Sequence, residues 1–151
     1  MNISDLKKLE QEYGFPLFLD SQRRVYRQLA NGTLSPIAIA QGDVFFTLVP
    51  ASRRPADLGK LVSPTADNKH IVAHSETGHH HVMDGDAVDV YETNNPLISF
   101  LEVLTSGDAV VTHLRDYDTH APVALPGIPG ELWQKTLQRE STPEGWIRVQ
   151  D

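Results

Sequence analysis

Short strand-like segments fill the second half of the chain, and they constrain the fold more than any other feature of the sequence. Seven segments of at most eight residues are rich in apolar and β-branched residues, and they cover residues 70–75, 79–83, 87–92, 97–104, 109–114, 121–125 and 132–139. Turn-forming pairs such as Asp84-Gly85 and Pro126-Gly127 separate most of them. Short strands at this spacing predict a mainly β fold, built as an antiparallel barrel or sandwich.

The first third of the chain predicts one more strand and a short helix. Residues 44–49 form an apolar run between two turn signals, which is typical of a buried strand. Ser4 as an N-cap, apolar residues at helical spacing and Gly14 as a stop predict an amphipathic helix near the N-terminus. Residues 16–29 fit either a second helix or a hairpin. The expected organisation is a single domain over residues 1–151, with a helical or hairpin segment at 1–32 and a β-barrel at 42–151.

Composition limits the location of the protein and the ligands it can offer to a metal. The 151 residues contain no apolar run of about 18 or more and no basic, apolar leader, so we expect neither a membrane span nor a signal peptide. We therefore predict a cytoplasmic protein. The chain has no cysteine, which excludes disulfides, thiolate zinc sites and iron–sulfur clusters. Imidazole nitrogen and oxygen remain as the metal ligands.

Charge is divided unevenly along the chain. Residues 1–60 hold eight basic and six acidic side chains, whereas residues 61–151 hold five basic and fourteen acidic ones. An acidic surface repels the phosphates of a nucleic acid, so nucleic acid is not expected as a partner of the second part.

The histidines are concentrated in this acidic part of the chain. All seven fall between positions 70 and 120, namely His70, His74, His79, His80, His81, His113 and His120. Because successive side chains of a strand point to opposite faces, His79 and His81 share one face and His80 takes the other. The Cα atoms of such a pair lie about 6–7 Å apart, close enough for both rings to bind one metal ion. His74, His113 and His120 compete for the remaining positions, and we expect His70 and His80 to be structural or exposed.

Imidazole ligands held on strands favour a divalent metal ion with an open coordination position. Zinc, iron, manganese and nickel all accept such ligands, and a carboxylate in the set would favour iron or manganese. The candidate oxygen ligands or supporting residues are Glu76, Asp84, Asp86 and Glu131.

Two resemblances follow from these motifs. Gly78-His79-His80-His81, followed by Gly85, resembles the first motif of the cupin superfamily, in which an H-x-H pair, a glutamate and a later histidine hold a metal inside a small β-barrel. This resemblance implies a cupin-like or jelly-roll barrel, with His113 or His120 as the later histidine. Residues 74–81, 119–126 and 138–144 also resemble a group of small uncharacterised bacterial and phage proteins, over about the last 110 residues. That second likeness implies no activity.

The sequence thus predicts a small cupin-like protein that binds a divalent metal through its histidines. If it is an enzyme, which the sequence leaves open, the metal would act as a Lewis acid or activate water or dioxygen on a small polar molecule. The alternative is a non-catalytic phage or bacterial structural or interaction protein with a β-barrel scaffold and with edge strands, such as residues 44–49, open to pairing. A small-molecule ligand and a homo-oligomer are compatible with these hypotheses, whereas a membrane partner is not expected.

Overall fold

The computed structural model describes residues 2–74, 80–105, 107–114, 121–137 and 147–149. Of His74, Leu114 and residues 147–149 it describes the backbone and not the side chain. The predicted strands at 70–75, 79–83 and 132–139 therefore lie only partly inside this description.

Within these residues the chain forms one α-helix and fourteen strands. In chain order they are α1 (Ile3–Tyr13), β1 (Leu17–Leu19), β2 (Val25–Gln28), β3 (Leu34–Pro36), β4 (Ala38–Gln41), β5 (Val44–Val49), β6 (Lys60–Leu61), β7 (Lys69–His74), β8 (His80–Asp84), β9 (Val88–Glu92), β10 (Ile98–Val103), β11 (Asp108–Leu114), β12 (Val123–Pro126), β13 (Leu132–Leu137) and β14 (Ile147–Val149). Among the described residues, no helix is long and apolar enough to cross a membrane.

The N-terminal elements agree with the predicted helix and decide between the two alternatives for residues 16–29. The cap lies two residues before the predicted one, because the side chain of Asn2, and not Ser4, accepts a hydrogen bond from Asp5 N. It ends at Gly14, whose φ of 81° is the left-handed conformation that glycine adopts without strain. The following residues form a hairpin, in which the Asp20 carboxylate accepts hydrogen bonds from the backbone of the turn.

The strands form three sheets. A small sheet has the order β1-β2-β3, a seven-stranded sheet has the order β14-β4-β5-β13-β10-β9-β6, and a four-stranded sheet has the order β12-β11-β8-β7. The pairings are antiparallel except that of β14 with β4, which is parallel. Every strand predicted from residue 70 onward has a counterpart whose bounds differ from the prediction by at most two residues.

Side chains from both larger sheets belong to one hydrophobic cluster. Leu101, Trp133 and Leu48 are successive register partners across the seven-stranded sheet, and Val111 and Met83 belong to the four-stranded sheet. A fully buried aliphatic or aromatic side chain contributes about 1.5–3 kcal/mol through the hydrophobic effect. This shared core explains why the inner faces of the strands are apolar and the outer faces mixed.

Of the two predicted architectures, a barrel and a sandwich, the described residues show no closed barrel. None of the three sheets closes there, since the seven-stranded sheet ends at β14 and β6 and the four-stranded sheet at β12 and β7. Open sheets that share one core agree with the sandwich alternative. The run at 44–49 is a buried strand as predicted, but it pairs with β4 on one side and β13 on the other, so it is not an exposed edge.

Candidate metal centre

Two of the predicted histidine ligands meet on neighbouring strands. His81 on β8 and His113 on β11 are direct register partners, and their side chains are 1% and 2% exposed. Their rings are stacked, with 4.3 Å between the centroids and 22° between the planes. Residues 81, 83, 111 and 113 all lie on buried positions, so strand alternation turns this pair into the core.

Gln41 holds the His81 ring in one tautomer. The Nε2 group of Gln41 donates hydrogen bonds to the carbonyl oxygens of Val111 and Ala121, at 3.1 and 2.9 Å. Since carbonyl oxygens only accept, this assigns the amide nitrogen to that side and points Oε1 at Nδ1 of His81, 2.7 Å away. Nδ1 of the neutral ring therefore carries the proton, and the lone pair is on Nε2.

A carboxylate faces that second ring nitrogen. Asp43 lies in the turn between β4 and β5, and its Oδ1 atom is 3.9 Å from Nε2 of His81. The Asp43 side chain is 59% exposed, whereas Gln41, two residues earlier, is fully buried. The β4–β5 hairpin thus supplies both a buried partner for one ring nitrogen, at the end of β4, and an exposed carboxylate near the other, in the turn.

The remaining predicted ligands are described only in part. His79 and His120 lie outside the described residues. His74 is the last residue of β7 and pairs with His80 in the backbone register, but its side chain is outside the description. Among the described residues, no group of three or more histidine, aspartate or glutamate side chains is placed to hold a metal ion. The five-histidine site therefore stays a prediction.

Comparison with known proteins identifies a family for two thirds of the chain. Residues 40–138 match the family described as a domain of unknown function, DUF8820. The chain belongs to this family. No curated protein matches the chain, and no solved structure matches it either.

The DUF8820 match begins at residue 40, one residue before Gln41, and includes the residues near His81. Gln41, Asp43, His81 and His113 all lie inside it, whereas α1 and the small sheet lie outside it. The family fits the expected likeness to uncharacterised proteins. It lends no support to the cupin motif or to a bacterial or phage origin.

The predicted oxygen ligands lie elsewhere or outside the description. Asp84 is the exposed last residue of β8, and Asp86 lies in the turn that follows, where it accepts a hydrogen bond from Asn68. Glu131 accepts two hydrogen bonds from the guanidinium of Arg27, at 2.6 and 2.7 Å. Glu76 is outside the described residues.

The two histidines expected to be structural or exposed differ from each other. His80 is half-buried and points to the face opposite His81, as alternation predicts. His70 is buried, with 5% of its surface exposed, and burial lowers the pKa of its ring while the Asp89 carboxylate acts in the opposite direction. His70 pairs in register with Met83, two residues along β8 from His81, and it borders a separate cavity.

Sequence reasoning missed both residues that contact or face the His81 ring. Gln41 ends an apolar run whose members from Ile37 to Ala40 are all buried, so a polar amide at the end of such a run was the available signal. Asp43 follows Gly42 and looked like an ordinary turn residue. Their nearness to His81 depends on the packing of two sheets, which no local pattern contains.

Proposed function

We propose that this protein binds one divalent metal ion through Nε2 of His81 and a carboxylate oxygen of Asp43. His113 lies beside this pair, and His79, His74 or His120 completes the set. The cupin-like interpretation of the fold belongs to the same proposal. The cupin motif holds its metal inside the β structure, and Gln41 and His81 both face the space between the two larger sheets.

The tautomer fixed by Gln41 is the observation that carries this proposal. Histidine ligands of metals commonly donate their other ring N–H to an oxygen acceptor, and that hydrogen bond orients the ring and raises its basicity. Here the acceptor is the Oε1 atom of Gln41, and the lone pair of Nε2 is on the side of Asp43. The two atoms are 3.9 Å apart, which is longer than a hydrogen bond and leaves room for a cation to bridge them.

The donor set fits a transition-metal ion. Bonds from such an ion to nitrogen or oxygen are about 2.0–2.2 Å long, so one ion reaches both His81 and Asp43 after a small movement of the exposed carboxylate. Imidazole with carboxylate suits zinc, iron, manganese and nickel. With an open coordination position, the ion would supply Lewis-acid chemistry for a small polar molecule.

Zinc binding after removal of bound metal tests the proposal. Isothermal titration of the chelator-treated protein is expected to give one zinc ion per chain. His81→Ala is expected to weaken binding by at least about 100-fold and Asp43→Asn by about tenfold, because each removes a ligand. His80→Ala is the matched control, since its side chain lies on the opposite face of the same strand, and it is expected to change the affinity less than about threefold.

The proposal fails if metal content stays well below one ion per chain in both the purified and the reconstituted protein. It also fails if His80→Ala weakens zinc binding as much as His81→Ala does. Because His81 is buried, the folding of His81→Ala is checked by circular dichroism. If that variant does not fold, the zinc affinity of Asp43→Asn, which changes an exposed residue, tests the proposal. Single alanine variants of His74, His79, His113 and His120 then identify the ligands that complete the set.

The alternative of a non-catalytic structural or interaction protein finds no support in the strand that suggested it. Residues 44–49 are paired on both sides, so this strand offers no free edge. A protein that binds no zinc and forms a stable homo-oligomer on sizing would favour the alternative.

A further inference from the structure

A second candidate site lies between β7 and the seven-stranded sheet. The cavity there has a volume of about 540 Å³. Its lining comes from β7 on one side, from β9, β10 and β13 on the other, and from residues 93–96 at its rim. This volume is within the range of about 300–1,000 Å³ that is usual for small-molecule sites. We call it the Lys135 cavity after the residue that distinguishes it.

Three buried polar side chains line the Lys135 cavity. Lys135 on β13 and Ser99 on β10 are direct register partners, and they are 6% and 7% exposed. His70 on β7, in the other large sheet, is 5% exposed. Each of the three borders the cavity, so one ammonium group, one hydroxyl group and one imidazole ring border the same space from two facing sheets.

None of these three side chains forms a hydrogen bond or an ion pair with any of the described residues. Among the described residues, Arg27 Nε is the one fully buried side-chain nitrogen or oxygen without a hydrogen-bond partner. The polar atoms of Lys135, Ser99 and His70 are therefore open to the cavity, although each residue as a whole is buried. Burial accordingly lowers the pKa of Lys135, while the charge of Glu92 acts in the opposite direction. A site that places one such cation and two further donors around a cavity suits an anion that accepts hydrogen bonds from all three.

We propose that the Lys135 cavity binds a small organic monocarboxylate. Its oxygens accept hydrogen bonds from Lys135, Ser99 and His70, and its aliphatic part lies against Val72 and Ile98. Both apolar residues line the same cavity.

The charges around the cavity favour a carboxylate over a phosphate. Lys135 is the one buried cation among the described lining residues, and Lys69 at the edge is exposed. Glu92 is the register partner of Ser99 on its other side, so the row across the sheet runs Glu92, Ser99, Lys135. Its carboxylate repels a second negative charge on the ligand, which leaves a single charge as the best match.

This site is separate from the proposed metal centre. Ala73 lines the cavity and is the register partner of His81, which places the two sites one strand apart. None of the polar groups around the cavity is among the proposed metal ligands. The test of carboxylate binding is therefore independent of whether the protein binds a metal ion.

Titration with hexanoate and with hexanamide tests this proposal, because the two molecules share a shape and differ in charge. Two-dimensional ¹H–¹⁵N NMR of the full chain is expected to show shifts at residues of β7, β10 and β13. Hexanoate is expected to bind at least about tenfold more tightly than hexanamide, the difference that one charge-assisted hydrogen bond supports. Inorganic phosphate is expected to bind more weakly than hexanoate.

Two lysine variants complete the experiment. Lys135→Met is expected to remove the preference for hexanoate over hexanamide, whereas Lys60→Met, which changes an exposed lysine of β6, is expected to keep it. Equal affinities of the wild-type protein for hexanoate and hexanamide would overturn the proposal. Phosphate binding as tight as that of hexanoate would also overturn it. So would an equal loss of the preference for hexanoate in Lys135→Met and Lys60→Met.

Discussion

At the level of single residues, Lys135 is the one buried lysine or arginine among the described residues. The residue as a whole is 6% exposed, and its ammonium group has no ion pair with a described residue. Lys135→Met keeps much of the volume and removes the charge. We expect this variant to raise the free energy of unfolding of the ligand-free protein by about 1–3 kcal/mol at neutral pH, measured by urea denaturation.

The pH dependence of that gain has a definite sign. Burial lowers the pKa of Lys135 in the folded protein below its usual value of 10.5, so the unfolded chain holds the proton more tightly. Between the two pKa values, the stability of the wild-type protein therefore rises with pH. The advantage of Lys135→Met is largest below the folded-state pKa and shrinks as the pH rises towards 10.5. A variant less stable than the wild type at neutral pH would show that the ammonium group has a stabilising partner.

The residues of both sites show which features local sequence patterns can predict and which they cannot. Alternation along a strand correctly predicts that His80 and His81 take opposite faces. It cannot predict that Gln41, forty positions earlier, fixes the His81 tautomer, because that contact depends on how two sheets pack. Lys135 likewise looks like a solvent-facing residue of a strand until its register with Ser99 and the facing His70 are known.

At the level of elements, one ion pair ties the small sheet to the seven-stranded sheet. The guanidinium of Arg27 on β2 donates two hydrogen bonds to Glu131, just before β13, and their side chains are 14% and 9% exposed. The same guanidinium lies 4.0 Å above the Phe15 ring. Because one guanidinium nitrogen bonds both carboxylate oxygens, this buried pair fixes the relative position of the two elements, and loss of one member leaves the other uncompensated.

Arg27→Met is therefore expected to lower the free energy of unfolding by about 3 kcal/mol, measured by urea denaturation. Arg27→Lys is expected to recover less than half of that loss, because lysine lacks the planar guanidinium that lies over the Phe15 ring. The control is Arg24→Met, which removes a more exposed pair with Asp20 in the neighbouring turn and should change the urea midpoint little. Equal effects of Arg27→Met and Arg24→Met would contradict a tie between the sheets.

The ends of the elements were predictable and their assembly was not. Turn residues set strand ends, so β10 over Ile98–Val103 and β11 over Asp108–Leu114 fall within one residue of the segments expected at 97–104 and 109–114. The position of β13 between β5 and β10 joins segments about ninety and thirty-five residues away in the chain. Such non-local pairing depends on the complementary packing of whole faces, which is why barrel and sandwich could not be separated from the sequence.

At the level of the whole molecule, the net charge of the chain has opposite effects on ligand binding at the two proposed sites. The net charge of −7 favours the approach of a metal cation and opposes that of a carboxylate. Carboxylate binding must therefore come from the local donors of the Lys135 cavity, whereas metal binding gains from the charge of the whole chain. Raising the salt concentration weakens that long-range field and leaves the buried contacts nearly unchanged.

Thermal unfolding with both ligands distinguishes two separate sites from one shared site. A ligand at about 100 times its Kd stabilises the folded state by about 2.7 kcal/mol, which for a chain of this length raises the Tm by about 5–10 °C. Zinc and hexanoate together are expected to give nearly the sum of their separate shifts, because sites without shared ligands contribute additively. His81→Ala is expected to lose the zinc shift alone, and Lys135→Met the hexanoate shift alone. If one variant abolished both shifts, zinc and hexanoate would share a single site, and the separation of the metal centre from the Lys135 cavity would be wrong.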